Sequence, residues 1–189
     1  MDPRRRFVLQ AALALPALSI ARSAPGGPSP TPSCGDATPP ATAGPFYTPD
    51  TPAKADFRAD DPQGRPLSLH ATVLDAQCRP LRGAVVDLWH ADSQGRYDND
   101  GFRLRGHQRA DERGAVRFAT VLPGRYPGRT RHCHVRIYGA RGGTLLTTQL
   151  YFPDEGGNAD DWLFRPELLL DVARRDAALE ARFAFVVEG

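Results

Sequence analysis

The chain has 189 residues, with 24 Lys+Arg against 22 Asp+Glu, 41% hydrophobic residues, 18 Gly, 18 Pro and three Cys. That length suits one ordinary domain, and Gly plus Pro at about a fifth of the residues argues against a helical bundle while being too sparse and aperiodic for collagen or wholesale disorder. The formal charge of +2 hints at an anionic partner, but four arginines fall within the first 22 positions, so the excess belongs to the N-terminus.

There, Arg4-Arg5-Arg6-Phe7 precede an apolar stretch over 8–20, broken by Gln10, Pro16 and Ser19, and then the small residues Ala21, Ser23 and Ala24. This is the order of an export signal, and its apolar part is too short to span a bilayer. The arginine pair followed by Phe one residue later resembles the twin-arginine type, although Pro3 stands where Ser or Thr is usual. Residues 1–23 are therefore expected to export the protein to the periplasm or beyond, with no stable membrane span. Cutting after Ser23 removes four Arg and one Asp from the 24 and 22, leaving 20 basic and 21 acidic residues. The remaining chain is near neutral and has no basic run interleaved with aromatics, which excludes nucleic acid as a partner.

Residues 24–43 are mostly Pro, Ser, Thr, Gly and Ala, and read as a flexible arm because nothing in them buries enough surface to offset ordering entropy. A single folded domain is expected over 44–189. Its strand signals recur at 67–74 and 84–90, which look like a hairpin or two neighbouring strands. A third lies at 115–121, with Val116, Phe118 and Thr120 on one side. The stretch 131–138 alternates Cys133, Val135 and Ile137 with His132, His134 and Arg136, a period of two that gives one apolar face and one histidine face. Further strands are expected at 144–152 and 183–187, and one or two short helices in the Glu-, Leu-, Ala- and Arg-rich stretch 166–180. Together these predict an all-β protein: an antiparallel β-sandwich with long loops and little helix.

Residues two apart on a strand project to one side, so His132 and His134 can offer two imidazoles to one metal. Two of the five tyrosines, Tyr97 and Tyr126, sit in Gly- and Pro-rich loops where the core does not need them. Phenolate is a hard anionic donor, and two phenolates with two imidazoles suit Fe(III) with positions left open for substrate.

The residues that carry these donors resemble those of the intradiol ring-cleavage dioxygenases, which include catechol 1,2-dioxygenase and protocatechuate 3,4-dioxygenase. The resemblance runs through Gly44-Pro45-Phe46-Tyr47, Asp87-Leu88-Trp89-His90-Ala91-Asp92, Gly95-Arg96-Tyr97-Asp98, Arg105-Gly106 and Leu122-Pro123-Gly124-Arg125-Tyr126-Pro127. It continues through Arg129, His132-Cys133-His134 and Thr147-Thr148-Gln149-Leu150-Tyr151-Phe152. It implies a mononuclear non-haem Fe(III) held by Tyr97, Tyr126, His132 and His134, and a catechol-type substrate opened with O₂ to a cis,cis-muconate-type diacid. It implies further that Tyr126 leaves the metal as it takes a proton, that Arg129 stabilises developing negative charge, that Gln149 lies beside the substrate, and that Tyr47 is near the pocket mouth. The substrate's identity and a homo-oligomeric state stay open. So do two other function classes, a non-catalytic β-sandwich binding module and a copper or zinc enzyme using the two histidines.

The remaining chemistry-bearing residues have plainer expectations. Tyr138 and Tyr151 read as framework, His70 as a surface strand residue, His90 and His107 as solvent-exposed, and Trp89 and Trp162 as packing. The acidic residues Asp154, Glu155, Asp160 and Asp161 read as a solvated loop, since their spacing lacks the pattern of a calcium loop. Cys34 and Cys78 pair if the protein folds outside the cytoplasm, leaving Cys133 in the core.

Overall fold

Residue alternation in the longest strands decides the architecture of the protein, whose computed structural model describes residues 36–188. In β1 (Pro66–Asp75) Leu67, Leu69, Ala71 and Val73 are buried and the residues between them are not. In β8 (Ala178–Val187) Leu179, Ala181, Phe183 and Phe185 do the same. These two strands pair in parallel at the centre of one sheet, flanked by β4 (Ala115–Val121) and β7 (Asp171–Arg175) in the order β4-β1-β8-β7. The second sheet runs β3-β2-β5-β6, built from β3 (Arg105–Arg109), β2 (Val85–Trp89), β5 (His132–Tyr138) and β6 (Thr144–Tyr151), all antiparallel. Val86, Leu88, Cys133, Val135, Ile137 and Leu150 of this sheet close the core against the first. Among the described residues, no helix is long and apolar enough to cross a membrane.

The β-sandwich is as expected, with four corrections. The first two strands are not neighbours: β1 and β2 belong to different sheets. The pairing is not wholly antiparallel, because β1 and β8 run side by side in the same direction. The expected helices of 166–180 reduce to a single 3₁₀ turn, Pro166–Leu168, and the rest is the β7–β8 hairpin, turning at Asp176 with φ +52°. Helix-favouring composition yields there to strand pairing, β7 with β8 and β8 with β1.

The fourth correction concerns the arm. The export signal, residues 24–35 of the arm and Cys34 lie outside the described residues, but residues 38–44 are fastened. Thr38 exchanges hydrogen bonds with Val186, Ala41 N–H donates to Thr147 O at 2.8 Å, and Thr148 Oγ1 donates to Pro39 O at 2.7 Å. Backbone groups anchor this stretch where apolar side chains do not. It crosses from the end of β8 over β6 and delivers residues 44–47 onto the outer face of the second sheet.

Candidate metal centre

The outer face of the second sheet carries the site. Direct cross-strand pairing sets Arg105 of β3, Trp89 of β2, His134 of β5 and Gln149 of β6 in one row, every member at most 1% exposed. His132 stands one step along β5, opposite Tyr151. Both faces of β5 are thus buried at this end, Cys133 and Val135 in the sandwich core and the two histidines under the arm and loops.

The two imidazoles meet edge to edge, Nε2 to Nε2 at 3.2 Å. His132 Nδ1 lies 2.7 Å from Thr130 O, and since a carbonyl only accepts, Nδ1 must carry the proton. That leaves the Nε2 lone pair of His132 aimed at the space shared with His134, the tautomer fixed as it is around metals. Trp89 stacks on the His134 ring, centroids 5.0 Å apart and planes 6° apart. Burial first, and then the nearby Arg129 charge, lowers the His132 pKa to about 4. Burial and His132 push His134 well below its ordinary value. Both rings are therefore neutral near pH 7, the form that donates a lone pair.

Two loops bring the phenols. The loop carrying Tyr97 is wound around Asp92, whose Oδ1 accepts N–H bonds from Gln94 and Arg96, both at 2.9 Å. Gly95, at φ +84°, lets it abut the loop carrying Tyr126: a Cβ there would lie 2.0 Å from Arg125 O. The second loop is tied at both ends to one carboxylate, Glu155, by Arg125 and by Arg131, whose Nε–Oε1 distance is 2.9 Å. Tyr126 Oη comes within 3.5 Å of His132 Nε2, and the Tyr97 ring centroid lies 5.7 Å from that of Tyr126 and 6.1 Å from that of His134. Burial raises the pKa of both phenols above the ordinary value. They keep their protons until a cation displaces them.

This donor set fits a hard, high-charge metal. Tyr97 Oη is buried without a hydrogen-bond partner among the described residues, so a polar atom at this point lacks what burial normally requires. Among the described residues no three His, Cys, Asp or Glu side chains gather elsewhere, or here, to hold a metal without the phenols. A hollow of about 700 Å³ lies instead among His70, Thr72, Arg117 and Arg182 on the first sheet and is lined by none of these donors.

Arg129 closes the site from the side. Its Nη1 donates to Tyr126 Oη at 3.3 Å and its Nη2 to Gln149 Oε1 at 2.5 Å, while Nε faces both carboxylate oxygens of Asp161 at 3.1 and 2.9 Å. Asp161 also accepts from the Thr130 and Leu163 amides at 2.9 and 3.0 Å. Burial alone would raise its pKa, but these donors hold it below the usual carboxylate value. Gln149 is held on both ends: Nε2 donates to Thr42 O at 2.9 Å and Oε1 accepts also from Tyr151 Oη at 2.9 Å.

A family model described as Dioxygenase matches residues 42–189. The chain belongs to the intradiol ring-cleavage dioxygenases. Catechol 1,2-dioxygenase of Acinetobacter baylyi is 31% identical over 72% of this chain and 53% of its own length, so this chain spans about half of that relative. The protocatechuate 3,4-dioxygenase β chain of Burkholderia cepacia is 30% identical over 68% of this chain and 67% of its own. The dioxygenase domain of a dioxygenase carbohydrate-binding protein fusion from Streptomyces sp. SirexAA-E matches with TM-score 0.78 and 41% identity, over 81% of this chain and 99% of that one.

Within this chain six of the seven expected site residues converge, and Tyr47 stands apart. Its Oη bonds Tyr138 Oη at 2.7 Å, its ring packs on Trp89 with centroids 4.9 Å apart, and the Arg136 guanidinium lies 3.9 Å from its centre. Its neighbour Phe46 is the ring that reaches the site, stacked on Tyr97 at 4.4 Å and 17°. The plainer expectations also need revising. Asp161 and Glu155 are not solvated; they hold Arg129 and the Tyr126 loop. His90 is not exposed but 1% accessible, donating from Nδ1 to Ala91 O and accepting Thr120 Oγ1–H at Nε2. His107 is half-buried, its Nδ1 bonded to Thr51 O at 2.8 Å. Trp162 is not packed but 82% exposed. Tyr151 is buried framework, as expected, yet its hydroxyl belongs to the Arg129–Gln149 network. Sequence spacing carried no sign of Asp161, whereas Arg105 and Phe46 stood in segments that carry the resemblance without an assigned role.

Proposed function

We propose that this protein cleaves a catechol-type ring between its two oxygen-bearing carbons, consuming O₂ and placing both oxygen atoms in a cis,cis-muconate-type diacid. The observation that carries the reading is the convergence of His132 Nε2, its lone pair fixed by the Thr130 carbonyl, with His134 Nε2 and the Tyr126 hydroxyl. With Tyr97 these side chains would hold Fe(III), and the phenols favour it over a copper or zinc site built on the histidines alone. When bound, ferric iron supplies a Lewis acid that lowers the catechol pKa and accepts electron density from the ring.

The chain's own residues then have separate tasks. His132 and His134 donate neutral nitrogen while Thr130 and Trp89 keep their rings from turning. Tyr126, half-buried and beside Arg129, receives a proton from the incoming catechol at Oη. Arg129 remains a cation because Asp161 outweighs the cost of its burial, and its Nη groups stabilise negative charge that develops near Tyr126 Oη. Gln149 contributes by fixing the Arg129 fork through Oε1, its amide already turned by Thr42 O. The export-signal order of residues 1–23 supports a working place outside the cytoplasm.

The test is to load the purified protein with iron, record its visible tyrosinate-to-iron absorption, and follow O₂ uptake with catechol, protocatechuate and hydroxyquinol. We expect about one iron per chain, a coloured protein and a ring-opened diacid from at least one substrate. A colourless protein after iron loading that opens none of them would sink the reading.

A further inference from the structure

The row of the sheet that contains His134 ends in a charged side chain for which neither the core nor the ligand set has an evident need. Arg105 is 1% exposed. No carboxylate among the described residues forms an ion pair with it; its donors go to main-chain oxygens instead. Nε and Nη2 donate to Asp98 O at 3.0 and 2.6 Å, and Nη1 donates to Phe46 O at 2.5 Å. Burying a guanidinium against neutral acceptors is costly, and filling the same volume with an apolar side chain would avoid that cost. What an apolar side chain cannot do is join two carbonyls from separate segments with one rigid planar fork.

The two carbonyls border one residue. Asp98 follows Tyr97 in the chain, and Phe46 stacks on the Tyr97 ring at 4.4 Å. The guanidinium carbon itself lies 5.9 Å from that ring's centre. Tyr97 is therefore enclosed by Phe46 and by a cation that grips the backbone of both neighbours, while its own hydroxyl has no hydrogen-bond partner among the described residues. Arg105 also pairs directly with Trp89, which stacks on His134, so one side chain borders the supports of a loop-borne and a strand-borne donor.

We propose that Arg105 is a positioning residue for the metal centre, clamping the Tyr97 loop to the Phe46 segment so that the Tyr97 phenol is held at the metal position. The inference rests on the reading of Tyr97 as an iron ligand and extends it to the device that places it. A residue of merely structural importance would alter stability and leave the ligand field of a folded, loaded protein unchanged.

The test compares wild type with Arg105→Lys, Arg105→Met, Phe46→Leu and the Arg105→Lys/Phe46→Leu double variant. Iron affinity is measured by competition with a chelator, the tyrosinate-to-iron absorption is recorded, and amide exchange over residues 95–104 is followed in the metal-free protein. Arg105→Met is expected to weaken iron binding about 10- to 100-fold, the usual range for a group supporting a ligand, and to shift the band. Lysine retains the charge without the fork and should lie between. Phe46→Leu should move the same band, and the double variant should change affinity by less than the product of the single changes, because both act on one ring. Faster exchange over 95–104 is expected with Arg105→Lys before any iron is added. Should Arg105→Met fail to fold, the lysine and Phe46 variants decide: wild-type affinity and an unmoved band in both would overturn the proposal. A wild-type protein that takes up no iron would overturn the proposed function instead, and that result precedes any variant.

Discussion

The two halves of the donor set are built in opposite ways. His132 and His134 stand on β5, in the interior of a four-stranded sheet, where backbone ladders on both sides fix their Cα positions and a carbonyl and an indole fix the rings. Tyr97 and Tyr126 stand on loops with no ladder, and what fixes them is a set of charged side chains gripping the backbone: Asp92 and Arg105 for the first, Glu155 through Arg125 and Arg131 for the second. A strand delivers donors with little freedom to leave, whereas a loop delivers donors whose hold on a metal can be loosened. That division suits the proposed function, in which Tyr126 would give up its place to substrate.

Removing one donor from each half gives the largest contrast. His134→Ala deletes a nitrogen that no neighbour on β5 can replace, and we expect loss of iron and of colour. Tyr126→Phe should keep the iron, alter the colour and slow turnover, since the other three donors and Arg129 stay in place. Metal analysis and visible spectra of the two proteins decide it; equal loss of iron from both would erase the distinction between strand-borne and loop-borne donors.

That distinction also governs what was legible in the sequence. Period-two alternation in 131–138 announced both the strand and its histidine face, because a strand buried on both sides must write its two faces into alternate residues. β3 and β7 left no such trace: Arg-Gly-His-Gln-Arg and Asp-Val-Ala-Arg-Arg are edge strands whose charged residues guard against further pairing, so the first drew no strand assignment and the second fell in a stretch read as helix. The tyrosines were found through loop composition and family resemblance, but their supports were not. Asp161 and Glu155 looked like any acidic loop, since a carboxylate is solvated or buried according to which arginine the fold brings to it, and Arg129 lies 32 residues before Asp161. Residues 38–43 looked flexible because their attachment uses backbone hydrogen bonds, which leave no mark in side-chain composition.

A smaller effect is expected from the support of the catalytic cation. Asp161→Asn keeps the shape but loses the charge that faces Arg129 Nε at 2.9 Å. Iron content and the visible band should match wild type, while turnover falls about 10- to 100-fold, the scale for outer supports of a site. Because Asp161 is held below its ordinary pKa, the native pairing persists throughout the range above pH 4, and lowering pH in that range should not mimic the variant. A shifted band in Asp161→Asn would mean that Arg129 supports the donors themselves and not the reacting charge alone.

The smallest predicted effect separates backbone strain from contact with the histidine half. Gly44 has φ +68°, and a Cβ there would lie 3.3 Å from His134 Cε1; Gly128 in the tyrosine loop has φ +78° with nothing within 4 Å of the same atom. Alanine at either position meets a left-handed backbone costing about 1–2 kcal/mol. Both variants should therefore lose comparable stability, seen as similar falls in Tm. Only Gly44→Ala also presses on an imidazole that Trp89 backs from its face, so the ring has to give by a few tenths of an ångström or the arm has to lift. We expect iron affinity to fall several-fold in Gly44→Ala and to stay unchanged in Gly128→Ala. Equal affinities would mean that the arm yields before the strand does, and that residues 38–44 cover the site without bracing it.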